Sequence, residues 1–534
     1  MERSAMLPGA HPVLSCAEAQ EFEKNLLEND ETLEWRAMQR AGRDLASALM
    51  EDVLEAGGLP DDARLLVLCG KGHNGGDALI AAHAILDATG AAKALVALVP
   101  DFAALRPLVR RALEALASAR RGRVEFVCVS GNEDGRDAAR TDARIGEAHF
   151  DLCLDRLFGM QFRPPLRPPA SWLLPLVNQH RSIRLRAAVD VPSGIGDASD
   201  GGAFRADFTY ATGIAKLPLF APANRPWVGR VRYVDIGFFD ADAPSRGQGI
   251  AILTPRMIRS WSSLRESVTD KRKFGHLFVV SGARDMPGAV LMAVESALLS
   301  GVGLVTAFVP ESIAASAASR LPEAMWVPMP ETPAGGLALE GRAAVVARST
   351  RCTGLLTGPG LGRDRETQAL IRELLKAIDV PAVVDGDALF AEVIAARKGM
   401  ESPVILTPHA GEFARISGGE DTGDDALRGA VGRLRATIVL KGAPTRVAAG
   451  ETIHVSPFGG PVLARGGSGD FLAGLIGGLA STGMDPLLAA ACGTVWHGMA
   501  ADAMARTGGQ SSARVTRLAE YFSAVLRSPE VTGG

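Results

Sequence analysis

Residues 64–99 read RLLVLCGKGHNGGDALIAAHAILDATGAAKALVALV. A short apolar block ending at Cys69 is followed by the cluster Gly70-Lys71-Gly72-His73-Asn74-Gly75-Gly76-Asp77, an Ala-rich amphipathic stretch from Ala78, and a second apolar block. Strand, loop, helix and strand in that order make a βαβ unit. Glycines let the loop turn tightly and approach a ligand, and free N–H groups at the helix start attract an anion. Gly70, Gly72 and Gly75 satisfy the GxGxxG pattern of dinucleotide-binding turns. No Lys-Ser or Lys-Thr pair follows, which removes a P-loop, and a turn serving only chain reversal stays as the plain alternative.

Working outward, apolar blocks at 124–129, 151–154 and 185–189 extend the sheet, with room between them for crossover helices. The first half reads as a Rossmann-like open parallel sheet with helices on both faces. After the apolar stretch 231–238 the sequence turns Asp, Ala, Pro, Ser and Gly rich, which marks a boundary. The expected division is 1–240, a linker at 241–249, and 250–534. The second half repeats α/β logic with strand candidates at 277–280, 304–309, 355–357, 382–384, 404–406 and 438–440 and a long Ala-rich helix from about Ala289. No short-period repeat or low-complexity tract is present.

A length of 534 residues exceeds what one core supports, since cores stop growing near ~250 to 300 residues. A net charge of -3 speaks against nucleic acid as the main ligand. Cys16, Cys69, Cys128, Cys153, Cys352 and Cys492 are scattered, three of them in or beside apolar runs that read as buried strands. They form no CxxC pair or disulfide framework, as suits a reducing compartment. No signal-peptide core and no apolar run of ~18 residues is found, so a cytoplasmic protein without membrane contact is expected.

Strand ends carry the candidate chemistry. In an open parallel sheet the carboxyl ends converge on one crevice, so Asn74, Asp155, Asp190 and Ser193 can meet there, and their oxygens suit a hard cation. The stretches His73-Asn74-Gly75-Gly76-Asp77, Asp155-Arg156-Leu157-Phe158-Gly159 and Asp190-Val191-Pro192-Ser193-Gly194, with Ala41-Gly42 in an early helix, resemble the NAD(P)HX epimerase family of the YjeF N-terminal type over residues 14–238. That resemblance implies a potassium ion on Asn74, Asp155 and Ser193. It also implies substrate contacts from His73, Asn74, Gly75, Gly76 and Asp77, from Gly159, Met160, Gln161, Phe162, Arg163, Pro164 and Pro165, and from Asp190. Asp190 is the implied acid/base, assisting reversible ring opening at the hydroxyl-bearing carbon. His73, Ala78 and Met160-Gln161 depart from the family pattern. Some relatives act only as binding scaffolds in RNA metabolism.

Arg465-Gly466-Gly467-Ser468-Gly469-Asp470 precedes an apolar helix at 471–479, so its N–H groups can receive a transferring phosphate while Asp470 takes the proton of the reacting hydroxyl. A simple N-cap would also explain Asp470. It leaves unexplained Gly358-Pro359-Gly360-Leu361-Gly362, Thr407-Pro408-His409-Ala410-Gly411-Glu412 and Lys441-Gly442-Ala443-Pro444-Thr445, which close strands and open loops around one crevice. One His and one Glu are too few for a closed zinc site. With Pro287-Gly288-Ala289, Leu321-Pro322-Glu323 and Asp385-Gly386-Asp387-Ala388-Leu389, these segments look like the nucleotide-dependent NAD(P)HX dehydratase family over residues 250–526, within the ribokinase-like α/β/α superfold.

This second resemblance implies nucleotide contacts at Lys441, Gly442, Ala443, Pro444, Thr445, Gly467, Ser468 and Gly469. It implies substrate contacts at Ala289, Gly360, Gly362, His409 and Asp470, with Asp470 catalytic. ADP or ATP is the implied co-substrate, with Mg2+. The charged segment 271–275 also matches a family lead-in and is expected near the nucleotide, while Gly386 and Phe390 depart from the pattern. NADHX and NADPHX are the expected ligands, and a homo-oligomer the expected assembly. The competing readings are a vitamin-precursor kinase fused to a non-catalytic ligand-binding domain, and a dinucleotide-binding regulator.

Overall fold

Along 65–69 every side chain is apolar and buried, so this strand needs cover on both faces. It has it. Leu65, Val67 and Cys69 face one apolar cluster with the helices Glu31–Asp52, Asn74–Ala88 and Pro107–Ala119. Leu66 and Leu68 face another with the helix Ala170–Gln179. The computed structural model describes residues 6–72, 74–99, 102–120, 122–129, 144–199, 201–240, 249–397 and 399–532. Two units result, one of residues 11–248 and one of residues 1–10 with 249–534.

The first unit contains β1 (His11–Leu14), β2 (Arg64–Gly70), β3 (Lys93–Val99), β4 (Val124–Cys128), β5 (Leu152–Arg156), β6 (Arg186–Val189), β7 (Phe208–Thr212), β8 (Ala215–Lys216) and β9 (Arg230–Val234). Its main sheet runs β4-β3-β2-β5-β6-β7-β9, parallel throughout. The chain leaves β2 for β3 and β4, then returns through β5 on the other side of β2. That reversal opens a crevice beyond the carboxyl ends of β2 and β5. A parallel pairing of β1 with β8 sets Leu14 opposite Lys216. Cys69 and Cys153 are buried as their apolar blocks imply, but Cys128 closes the edge strand β4 and is exposed.

The second unit contains β10 (Ile250–Ile252), β11 (His276–Val280), β12 (Leu304–Pro310), β13 (Met325–Met329), β14 (Gly354–Thr357), β15 (Ala382–Val384), β16 (Val404–Leu406), β17 (Thr437–Leu440), β18 (Thr445–Ala448) and β19 (Ile453–Ser456). Its strands lie in the order β13-β12-β11-β14-β15-β16-β17-β18-β19-β10. They are parallel from β13 to β17, and β18 is antiparallel to both neighbours. Leu277, Val279, Leu356, Val383, Ile405 and Val439 pack on the helices Pro287–Leu299, Ser468–Ser481 and Pro486–Gly508. Their chain neighbours Leu355, Val384, Leu406 and Ile438 are buried on the opposite face, giving an α/β/α layering.

Two features differ from the sequence expectation. Residues 6–10, read as part of the first domain, belong to the second unit: Leu7 and Ala10 are buried in its core, the Leu7 N–H donates to His454 Nε2 at 3.3 Å, and Thr254 Oγ1 donates to the Gly9 carbonyl at 2.6 Å. Residues 241–248 of the expected linker lie outside the described residues. No helix of the described residues is long and apolar enough to cross a membrane.

Candidate active sites

The early Ala41-Gly42 pair has a steric purpose. A Cβ on Gly42 would lie 2.7 Å from Ile80 Cβ and 2.9 Å from the Asp77 carbonyl, so only glycine lets the helix Glu31–Asp52 cross the helix Asn74–Ala88 this closely. The crossing presses Asp77 toward the crevice. Gly75 and Gly76 form the first turn of the second helix, against Gly70 and Met38. His73 and the side chain of Asn74 lie outside the described residues.

A cavity of about 570 Å³ opens there. Of the residues singled out from sequence, Asp77, Gly159, Met160, Gln161, Phe162 and Asp190 line it. Arg163, Pro164 and Pro165 follow along the chain and are not among its lining residues, and Arg163 is exposed. The opposing lining comes from Gln20, Glu23, Lys24 and Leu27 of the helix Cys16–Leu27.

Asp190 ends β6 in the left-handed region, φ 71, an uncommon position for a non-glycine residue. Its carboxylate is buried between two cations: Arg156 Nη1 stands 3.2 Å from Oδ2, and the buried Lys216 ammonium donates to Oδ1. Burial alone would push the Asp190 carboxyl up, but Lys216 and Arg156 outweigh it and hold the group below the usual carboxylate range. Asp77 sits 3.7 Å from Arg156 Nη2 and is pushed by burial up to about 7. Glu23 is likewise pushed by burial up to about 7. Sequence reasoning missed Lys216, Arg156 as an ion-pair partner, and Glu23.

Asp155 and Ser193 lie side by side. The Ser193 N–H donates to Asp155 Oδ2 at 2.7 Å, the Leu157 N–H donates to Oδ1 at 3.4 Å, and Ser193 Oγ accepts from the Phe158 N–H at 2.9 Å. Burial pushes Asp155 up to about 6, and no side-chain cation pairs with it among the described residues. A buried carboxylate and a hydroxyl are hard oxygen donors that fit an alkali cation.

In the second unit Gly467 adopts φ 96 as the N-cap of the helix Ser468–Ser481, which begins three residues earlier than its apolar run. The Ser468 N–H donates to the Arg465 carbonyl at 3.4 Å, and the Gly469 and Asp470 N–H groups of the first turn have no intrahelical acceptor. Lys441 is held 2.8 Å from Asp385 Oδ1 and 3.7 Å from Glu412 Oε2. Gly469 is its neighbour, where a Cβ would lie 3.2 Å from Lys441 Nζ. Burial pulls the Lys441 ammonium down, while Asp385 and Glu412 outweigh it and hold the ammonium above its ordinary value. Asp470 is pushed up to about 7 by burial, then by Asp385.

His409 caps the helix Ala410–Ser417 through Nδ1, accepting from the Gly411 and Glu412 N–H groups at 3.0 and 3.3 Å. Its side chain is 61% exposed, and Nε2 stands 3.4 Å from Glu412 Oε1. Gly360 lies against Ala289 at the start of the helix Pro287–Leu299, and the Gly362 N–H donates to Asp387 Oδ2 at 3.2 Å. Gly442 and Ala443 form an exposed turn into β18, where Pro444 and Thr445 become half-buried. Ser468 Oγ instead turns back to the Leu463 carbonyl at 2.7 Å. Asp385 Oδ1 also accepts from Thr407 Oγ1 at 2.6 Å, so its contacts are Lys441 and Thr407, and no cluster of three metal-ligating side chains is found among the described residues. The segment 271–275 is misplaced by the sequence reading. It precedes the amino end of β11 and packs against Ser481, at the far end of the helix whose start carries Asp470.

Two family profiles match the chain: YjeF-related protein N-terminus at residues 35–217, and NAD(P)H-hydrate dehydratase at residues 277–523. The chain is 34% identical over 501 residues to the bifunctional NAD(P)H-hydrate repair enzyme Nnr of Moorella thermoacetica, covering 88% of each chain. The same comparison with Gloeobacter violaceus gives 36% over 491 residues, covering 88% of this chain and 89% of the relative. Among solved structures, the ADP/ATP-dependent NAD(P)H-hydrate dehydratase of Bacillus subtilis, co-crystallised with ATP/Mg2+, is 27% identical with TM-score 0.44, covering 51% of this chain and 96% of that one.

Proposed function

The chain belongs to the family of bifunctional NAD(P)H-hydrate repair enzymes, and from that premise we propose which residues of each unit carry the two reactions. The first unit epimerises hydrated NADH and NADPH, and the second dehydrates the S epimer at the expense of an adenine nucleotide. Asp190 is the base that takes the proton of the ring hydroxyl, because two cations keep it ionised at neutral pH. Loss of that proton lets the carbon–nitrogen bond open to an aldehyde, and closure onto either face returns either epimer. The substrate sits in the cavity lined by Asp77, Gly159 to Phe162 and Asp190. Asn74, Asp155 and Ser193 hold potassium, which supplies positive charge beside the substrate.

In the second unit Asp470 accepts the hydroxyl proton as the phosphoryl group arrives, and the N–H groups of Gly467 to Asp470 receive the developing charge. The phosphate then leaves with the carbon–oxygen bonding pair, pushed out as the ring nitrogen lone pair forms C=N, and loss of the neighbouring carbon's proton restores the ring double bond and returns the pair to nitrogen. Lys441 to Thr445 with Gly467 to Gly469 bind ADP or ATP, while Ala289, Gly360, Gly362 and His409 contact the hydrate. Mg2+ would accompany the nucleotide and offset its phosphate charge. The work is done in the cytoplasm, by a homo-oligomer.

The observation that carries this reading is the placement of Asp470: a half-buried carboxyl at the open start of a glycine-capped helix, poised near neutrality. The test incubates the full chain with purified R or S hydrate plus ADP or ATP and follows return of reduced-nicotinamide absorbance. Both epimers are expected to be repaired, and no return with either nucleotide would overturn the assignment.

A further inference from the structure

Resting on that reading of the first unit, we propose that Glu23 is a second catalytic residue of the epimerase, the proton partner of Asp190. Cys16, Ala19, Gln20, Glu23 and Leu27 recur at helical spacing along the helix Cys16–Leu27. Cys16 and Ala19 are buried, and Gln20, Glu23 and Leu27 line the cavity, so a carboxyl stands on the inward stripe where an apolar residue is the norm. The helix is fixed over the crevice. Asp197 accepts from the Cys16 N–H at 2.7 Å and the Ala17 N–H at 3.0 Å, and Ser15 with Glu18 completes a capping box.

Charge bookkeeping across the cavity then gives Glu23 its task. Asp190 and Asp77 are the carboxylates facing the buried cations Lys216 and Arg156. Asp190 has both cations in contact and Asp77 has Arg156 at 3.7 Å, whereas a third carboxyl drawn into the cavity wall with no cation in contact favours its protonated form. Glu23 is that third carboxyl: it makes no ion pair or hydrogen bond with another described residue, and its charge interactions are with Lys216, Asp190, Arg156 and Asp77. The other charged groups on the cavity wall are Lys24 on its own helix, Glu34, Lys71 and Arg106. A neutral acid facing an ionised base is the pairing that separates the two proton transfers of a ring opening.

The step balances. Asp190 takes the hydroxyl proton, the oxygen's electron pair forms the aldehyde C=O, and the ring carbon–nitrogen bond breaks with its pair going to nitrogen. Glu23 gives nitrogen the proton it then carries. Rotation about the adjacent carbon–carbon bond offers the other carbonyl face. Ring closure returns one proton to Glu23, while the oxygen takes the other back from Asp190.

The test follows relaxation of purified R hydrate toward the R/S mixture by chromatography, without nucleotide, over a pH series and above the spontaneous background. In the unmodified chain the rate is expected to fall as pH rises through about 7, where Glu23 loses its proton. Glu23→Gln is expected to lower kcat at least tenfold with little change in KM and to erase that alkaline limb. Glu23→Asp should keep the limb with partial activity, and acetate should restore turnover to Glu23→Ala. Wild-type kcat with an unshifted limb in Glu23→Gln, or a Glu23→Ala deficit that acetate leaves untouched, would overturn the role of Glu23 while leaving the epimerase assignment standing. An unmodified chain that fails to exchange the epimers would overturn both.

Discussion

Asp190 and Asp470 are both withdrawn from water, yet one is held ionised and the other is pushed up to about 7. The difference lies in what touches them. Asp190 has Lys216 and Arg156 in direct contact. Asp470 has no cation in contact among the described residues, because the nearby Lys441 is engaged by Asp385 and Glu412. Burial costs any carboxylate, and the count of dedicated cations decides which way its proton equilibrium moves. A pre-ionised base suits a substrate hydroxyl met without further charge. A base poised near neutrality suits a site where phosphate and metal complete the charge balance on binding.

The sharpest way to break this contrast is Asp470→Asn. Recovery of reduced cofactor from both epimers should fall on the order of 10³-fold, since every repair route ends at that site; assays with pure R and pure S hydrate read it. Asp190→Asn should act on one epimer only, lowering recovery from R hydrate by about 10²-fold with S hydrate repaired at the normal rate. If both epimers suffered equally, the two aspartates would not serve separate reactions.

Titration compares the poises directly. Asp470 works unprotonated and its pKa is raised, so kcat/KM for S hydrate should fall about tenfold per pH unit below about 7 and level off above it. Asp190 is depressed, so R/S exchange should persist in that acidic range. Lys216→Met would sharpen the comparison with the smallest change in rate. Without its ammonium both Asp190 and Glu23 titrate higher, so exchange should drop several-fold at neutral pH and its whole pH profile should move upward. A stability loss of about 3 kcal/mol, measured by denaturant unfolding, should accompany it, as a buried carboxylate loses one of its partners.

Much of this was legible in the chain. The βαβ unit at 64–99 and the glycine-to-aspartate motifs announce themselves because turn chemistry and apolar periodicity are local. Lys216 was not legible: it lies in a two-residue strand, and its burial depends on β1 and β8 pairing across some two hundred residues. The early helix hid Glu23 for a different reason. A lone carboxyl on an apolar stripe carries no motif, and only the inward face of the folded helix gives it meaning. The segment 271–275 shows the converse error, where a family-like charge run lies at the wrong end of its strand.

The residues that open the chain have a consequence for how it is cut and made. Because residues 6–10 complete the core of the second unit, the first unit is in topological terms an insertion rather than a forerunner. A fragment expressed from 249 onward would leave the places of Leu7 and Ala10 vacant, and one ending at 248 would carry apolar residues without their home. Residues 6–10 therefore reach their packing partners only across the whole intervening unit, a contact of high sequence separation.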